Sequence, residues 1–347
     1  MNAKVYKYLS PLIVYVFAII AFTQTDWLCW LAVIYAWLFI PLAELFIQPN
    51  EENLTATEEE LAKQNKLYEY ILYAIVLIQI PTLFFFLHQM QQPFLTTYDI
   101  VGRVLTMGLL CGTFGINVGH ELGHRINQFE QWLAKASLLT SLYTHFFIEH
   151  NKGHHKHVAT QHDPSSARKG EMIYLFYFRT IVFTYINAWK IANEETRKKG
   201  KNAFSLYNEM LQLQLVQIVF IGFIYWAFGA QGTLYFLLAA FNGILLLETV
   251  NYIEHYGLSR KEISKGKYER ALPAHSWNSN HIIGRLMLFE LSRHSDHHYL
   301  ASRKYQILRH HDNAPQMPTG YPGMMLLSLF PPLWFYVMHK QLHKYAV

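Results

Sequence analysis

Nine of the 19 histidines in this 347-residue chain fall into four short clusters at metal-ligand spacing. They are His120 and His124 in HELGH, His150, His154 and His155 in EHNKGHH, His255 in NYIEHYG, and His294, His297 and His298 in RHSDHH. Three clusters contain an i, i+4 pair, which on an α-helix stands on one face. Neutral imidazole ligates zinc, copper, iron or nickel. One HELGH segment alone would suit a zinc hydrolase, with Glu121 as general base, but would leave seven clustered histidines without a role. Nine imidazoles are too many for one ion and suit two. Spacing leaves the identity of the metal open.

A metal-bound histidine usually donates its second ring N–H to an acceptor. Candidate acceptors near the clusters are Glu121, Glu149, Asp163, Glu248, Glu254 and Asp296, with the Asn251 amide alongside. Glu248 lies inside an apolar run, where a carboxylate is costly unless paired or functional. His281 in WNSNH and His145 could also support the ligands from behind. The remaining histidines, including His157, His162 and His311, read as surface or structural residues.

These clusters have to be carried by an apolar framework. The chain is 52% hydrophobic and 15% charged, against about 25% charged in a typical soluble domain. Cys29 and Cys111, both in apolar stretches, exclude a disulfide framework or a cysteine-rich metal module. The mild net charge of +5 gives no sign of a nucleic-acid partner. No cleavable signal sequence is evident at the N-terminus. Six apolar stretches, near 8–24, 27–47, 69–87, 101–118, 211–230 and 232–250, approach the length a bilayer requires. Of 29 Lys and Arg, all but Arg103 lie in the N-terminus, the 48–68 segment, the 119–210 segment or the tail after 250. The positive-inside rule places those parts, and with them both termini and all four clusters, in the cytoplasm.

The expected architecture is one all-α integral-membrane domain over 1–347, with six transmembrane helices and a helical cytoplasmic catalytic portion (119–210 and 251–347). Ala136–Ile148 and Met172–Trp189 read as helices lying at the membrane surface or packing beneath the spans. Met324–Met338 is apolar but interrupted by Pro331 and Pro332, and is not counted as a span. The basic run 197–201 suits contact with lipid headgroups, or the docking of an acidic protein.

The motifs themselves resemble the membrane-bound alkane 1-monooxygenases (alkane omega-hydroxylases). The matching segments are NVGHELGHR (117–125), FFIEHNKGHHKHVATQHDP (146–164), NYIEHYGL (251–258), HSWNSNH (275–281), LFELSRHSDHH (288–298), RKYQILR (303–309) and PTGYPGMM (318–325). The HELGH, EHNKGHH and RHSDHH clusters are shared with membrane desaturases and related hydroxylases, whereas NYIEHYG with HSWNSNH points to the alkane branch. The resemblance implies two irons held by the nine histidines His120, His124, His150, His154, His155, His255, His294, His297 and His298, without a bridging carboxylate. It also implies O2-dependent conversion of an n-alkane to a primary alcohol in a bacterial inner membrane. The electrons would come from a rubredoxin served by an NADH-dependent reductase. Two cysteines cannot form a fused rubredoxin, which needs four, so the donor would be a separate protein. His157 departs from the family pattern, standing where an acidic residue is expected. Other readings are a related oxygenase or desaturase acting on acyl or alkyl-aromatic substrates, a zinc hydrolase, and a metal transporter or sensor.

An alkane offers no polar handle, so an apolar channel must position it. Ala32 and Ala36, one turn apart beside Trp37, are the candidates for its far end. For an acidic electron donor, Arg293, Arg303, Lys304 and Arg309 form the candidate docking group.

Overall fold

The computed structural model describes residues 4–345. Five helical runs in it are long and apolar enough to cross a membrane: α1 (Tyr6–Thr23), α2 (Asp26–Phe46), Leu67–Gln89, Thr97–Gly123 and Glu209–His255. The chain is an all-α integral membrane protein. The other helices are α3 (Ala56–Gln64), α6 (Gln128–Leu139), α7 (146–157), α8 (Ile173–Lys198), α10 (Ile282–Met287), α11 (His294–Tyr299), α12 (Tyr321–Ser328) and α13 (Pro331–Lys344). In chain order the three later spans are α4 (Leu67–Gln89), α5 (Thr97–Gly123) and α9 (Glu209–His255).

The fifth and sixth apolar stretches form one 47-residue run, α9, broken at Gly229 (φ 69°, ψ −173°). That backbone conformation is essentially restricted to glycine, and it supplies the tight reversal between two spans. Pro331 and Pro332 occupy the first turn of α13, where a proline's missing N–H costs nothing. The break between α12 and α13 therefore falls before the prolines. The Ala136–Ile148 stretch is two helices, α6 and α7, separated by a turn through Thr140–His145, and α8 continues nine residues beyond Trp189. The tail also contains a short exposed antiparallel hairpin, β1 (Glu262–Ser264) with β2 (Lys267–Tyr268).

Two spans deliver metal-ligand candidates at their last turns: α5 carries His120 and α9 ends on His255. They can run close because small residues face each other. A Cβ on Gly243 would sit 2.6 Å from Cβ of Cys111, and one on Gly108 would sit 2.3 Å from Oδ1 of Asn242. Buried carboxylates tie the soluble part to the spans. Glu44, near the end of α2, accepts the Gly284 N–H of α10 at 2.6 Å. Glu290 accepts Tyr8 Oη of α1 at 2.7 Å and Arg285 Nε at 2.6 Å.

Three wide π-helical turns interrupt otherwise regular helices: Tyr35–Phe39, Cys111–Ile116 and His150–His154. Such turns insert a residue into the i→i+4 ladder and re-aim the side chains of the next turn. Each carries either clustered histidines or residues of the apolar cavity beside them.

Candidate metal centre

The nine histidines converge as two groups. His120, His124, His150, His155 and His297 form one; His154, His255, His294 and His298 form the other. Within each group the ligand nitrogens lie within 4.8 Å of one another. In the five-histidine group, Nε2 of His120 is 3.0 Å from that of His297 and 3.2 Å from that of His124, and His150 and His155 approach at 3.0 Å. In the four-histidine group, His154–His298 and His255–His294 are both 3.2 Å apart.

These separations fit ions. Nitrogens held about 2.1 Å from a common cation and at right angles lie about 3 Å apart. Mutual hydrogen bonding pairs rings two by two, which covers the four-histidine group but leaves one ring of the five-histidine group without a partner of its own. A cation satisfies all of them together. Burial acts in the same direction, because it penalises the imidazolium form. It holds His124, His150, His155, His294 and His298 well below the usual histidine range and lowers His297 to about 3, so the ligand lone pairs are free.

His154 is the exception. Burial would lower it, but the Asp163 carboxylate raises it above its ordinary value. His154 Nδ1 lies 2.9 Å from Asp163, which also accepts Ser166 Oγ at 2.6 Å and Ser165 N–H at 3.0 Å. This fixes the ring so that Nε2 points into the four-histidine group. Asp163→Asn should weaken metal binding at that group by about 10–100-fold while leaving the five-histidine group loaded. Equilibrium metal titration reads this directly, and equal affinities in the two proteins would show that the carboxylate has no orienting role.

The wide turn in α7 changes the expected pairing. The i, i+4 histidines of that segment, His150 and His154, belong to different groups, and the facing pair is His150 with His155, five residues on. The other i, i+4 pairs, His120/His124 and His294/His298, stay together.

Most of the candidate acceptors lie behind the ligands without touching them. Glu121 pairs with Arg125 and accepts the Tyr305 N–H at 3.1 Å. Glu149 accepts Asn187 Nδ2 at 3.0 Å, and burial pushes its carboxyl up to about 8. Glu248 gathers Tyr143 Oη at 2.6 Å, Thr180 Oγ1 at 2.8 Å and Asn251 Nδ2 at 3.1 Å, which resolves the cost of a carboxylate in an apolar span. Asp296, between ligands on α11, is clamped by Arg303 at 2.7 Å and His311 at 2.7 Å. Glu254 Oε2 lies 3.2 Å from His294 Nε2, the nitrogen that also faces His255. His281 pairs with Ser279, and His145 Nε2 is buried with no hydrogen-bond partner among the described residues. Sequence reasoning missed the supporting hydroxyls of Tyr143, Ser166 and Thr180, because Ser, Thr and Tyr carry no spacing signature for this role.

The docking expectation needs correction. Arg293 is 3% exposed and donates to the carbonyls of Leu308 at 2.9 Å and Glu52 at 2.8 Å, so it holds the 50–53 segment against the tail. Arg303, Lys304 and Arg309 are paired with Asp296, Glu69 and Glu59, and remain partly exposed.

A cavity lies between α1, α2, α5, α9 and α10, and its wall is almost entirely apolar. Ala36, Trp37 and Leu109 line one part; Val250, Leu288, Leu291 and Asn117 line another and stand within six residues in sequence of His255, His294 and His120. The Asn117 amide donates to the Leu288 carbonyl at 3.0 Å, so this polar group is turned away from the cavity's contents. Ala32 is fully buried but does not line the space. The wide turn beginning at Tyr35 takes Ala36 out of line with it.

Residues 99–328 match the family model described as fatty acid desaturase. The chain is 44% identical over 245 residues to alkane 1-monooxygenase 1 of Pseudomonas aeruginosa, covering 71% of this chain and 64% of that protein. It is 43% identical over 253 residues to alkane 1-monooxygenase 2 of the same organism, covering 72% of this chain and 67% of that protein. To alkane 1-monooxygenase 2 of Alcanivorax borkumensis it is 37% identical over 323 residues, covering 91% and 84%.

Proposed function

This chain belongs to the membrane alkane 1-monooxygenase family of oxidoreductases, and from that membership we propose that it hydroxylates n-alkanes at the terminal carbon. In balance, R–CH3, O2, two electrons and two protons give R–CH2OH and water. The observation that carries the reading is the pair of all-histidine groups beside an apolar cavity whose wall includes residues within a few positions of the ligands in sequence.

The five-histidine and four-histidine groups would each hold one iron ion. When bound, the two irons would supply the activation of O2, which side chains cannot perform. The protein's residues do the rest. Apolar walls bind the chain by burial, at about 0.8 kcal/mol per CH2. With no hydrogen-bonding handle on the substrate, shape and proximity select the carbon that reacts: the chain end seated at Leu288 and Leu291. Asp163 keeps His154 in orientation, and the Asn117–Leu288 bond keeps the inner wall closed and dry.

The active face lies on the cytoplasmic side, a reading supported by the distribution of Lys and Arg, and the membrane is a bacterial inner membrane, as the family resemblance implies. The electrons come from a separate, acidic, rubredoxin-type carrier reduced by an NADH-dependent reductase. The partly exposed Arg303, Lys304 and Arg309, adjoining the ligand helix α11, are the docking cations, with Arg293 a structural neighbour.

The test is metal content together with product analysis. The protein in lipid, supplied with rubredoxin, its reductase and NADH, is offered octane, hexadecane and a fatty acid. Two irons per chain and a primary alcohol from an alkane are expected. Iron with product only from the acyl substrate would move the enzyme to a sister reaction. Zinc without oxygen consumption would overturn the reading.

A further inference from the structure

A second apolar space lies against the first on the bundle's outer surface. It lies between α2, α5, α9 and α12, with Val33, Leu105, Leu245 and Leu326 in its wall. Trp37, Leu246 and Met325 line both this groove and the reaction cavity, so those side chains form the partition between them. Leu105, Asn242 and Leu245 also belong to a shallower depression that continues along α5 and α9 past Val101 and Phe241, both exposed. The groove therefore runs along the face that spanning helices present to lipid. Its inner end is marked by Tyr174, whose hydroxyl donates to the Leu329 carbonyl at 2.7 Å, and by Tyr177, whose hydroxyl lies 2.5 Å from Thr249 Oγ1. Tyrosines anchored in this way suit the level of lipid headgroups.

An alkane is dissolved in the bilayer. A route through water would expose its whole length, at a cost proportional to apolar area; a route through this groove exposes none. Of the partition residues, Met325 is unbranched and adaptable. We infer that the groove is the vestibule through which an n-alkane passes from the bilayer into the reaction cavity, with Met325 the movable part of the partition. This rests on the proposed alkane reaction and names the path to the same site. The occupant is argued from two observations: the three shared wall residues, and the continuity of the groove with the lipid-facing surface.

Val33→Trp and Leu326→Trp fill the groove without altering the reaction cavity. In proteoliposomes each should raise KM, expressed as alkane per lipid, about tenfold or more, with kcat and the chain-length profile unchanged, the signature of lost access. A diazirine-bearing dodecane should label wild-type residues around Val33 and Leu326, excess alkane should displace it, and Val33→Trp should abolish the labelling. Labelling between other helices, or an unchanged KM in both variants with alkane still turned over, overturns the vestibule and leaves the proposed reaction standing. Labelling that alkane cannot displace identifies the groove as a seat for a phospholipid acyl chain and also overturns it. Displaceable labelling in a protein that turns over no alkane supports the vestibule while the reaction fails. If both variants misfold, the wild-type labelling decides.

Discussion

His297→Ala will leave the protein with one of its two ions and no measurable hydroxylation, and His298→Ala will do the same by emptying the opposite group. The two residues are neighbours on α11, yet His297 belongs to the five-histidine group and His298 to the four-histidine group. Adjacent residues on a helix point about 100° apart, so one short helix serves both groups. Loss of a ligand should exceed the 10–100-fold cost typical of an outer partner, because it also leaves an open position on a buried ion. The two variants should be equally inactive but spectroscopically distinct, each retaining the signature of a different ion. Mössbauer spectra of the iron-loaded proteins make the comparison. Two identical residual spectra would mean that the ions exchange freely between groups and that the five-plus-four partition is wrong. A fully active His297→Ala protein would remove that ring from the ligand set.

The same neighbours show where sequence stops being informative. The four clusters and the apolar stretches stand out because ligand spacing and hydropathy are local properties. How the ligands divide between two ions is set by helix rotation. The wide turn at His150–His154 has no residue signature, and it sends His154 to the other group and brings His150 against His155. The turn at Tyr35–Phe39 likewise separates Ala36, which lines the cavity, from Ala32, which does not. Charge misleads in a different way. Arg293 has the sequence context of a surface cation beside a ligand cluster. In the fold it is enclosed, because backbone carbonyls at residues 50, 52 and 308 need a donor. Glu248 is legible as an exception, since a carboxylate in an apolar span requires partners. Which partners it finds, Tyr143 and Thr180 from segments far away in sequence, only the tertiary structure reveals.

Ala36→Trp will shift the preferred substrate toward shorter alkanes. Ala36 lines the cavity with Leu109, which precedes His120 by eleven residues, about 16 Å along a helix. The indole would therefore intrude at the part of the cavity remote from the ligands, where the unreactive end of a long chain must lie. Each CH2 denied its place forfeits about 0.8 kcal/mol of burial, close to fourfold in kcat/KM. Excluding four carbons would then lower kcat/KM for hexadecane roughly two-hundredfold, while octane, if it lies wholly on the near side, should change by less than about threefold. The octane-to-hexadecane ratio is the quantity to measure, because it cancels any general loss of active protein. Metal content should remain at two ions, since Ala36 touches no ligand. The contrast with Val33→Trp is diagnostic: blocking the groove hinders every chain length alike, whereas filling the far end of the cavity discriminates by length. An unchanged ratio in Ala36→Trp would mean that the long chain leaves the cavity by another side, with Trp37 and Met325 the next residues to vary.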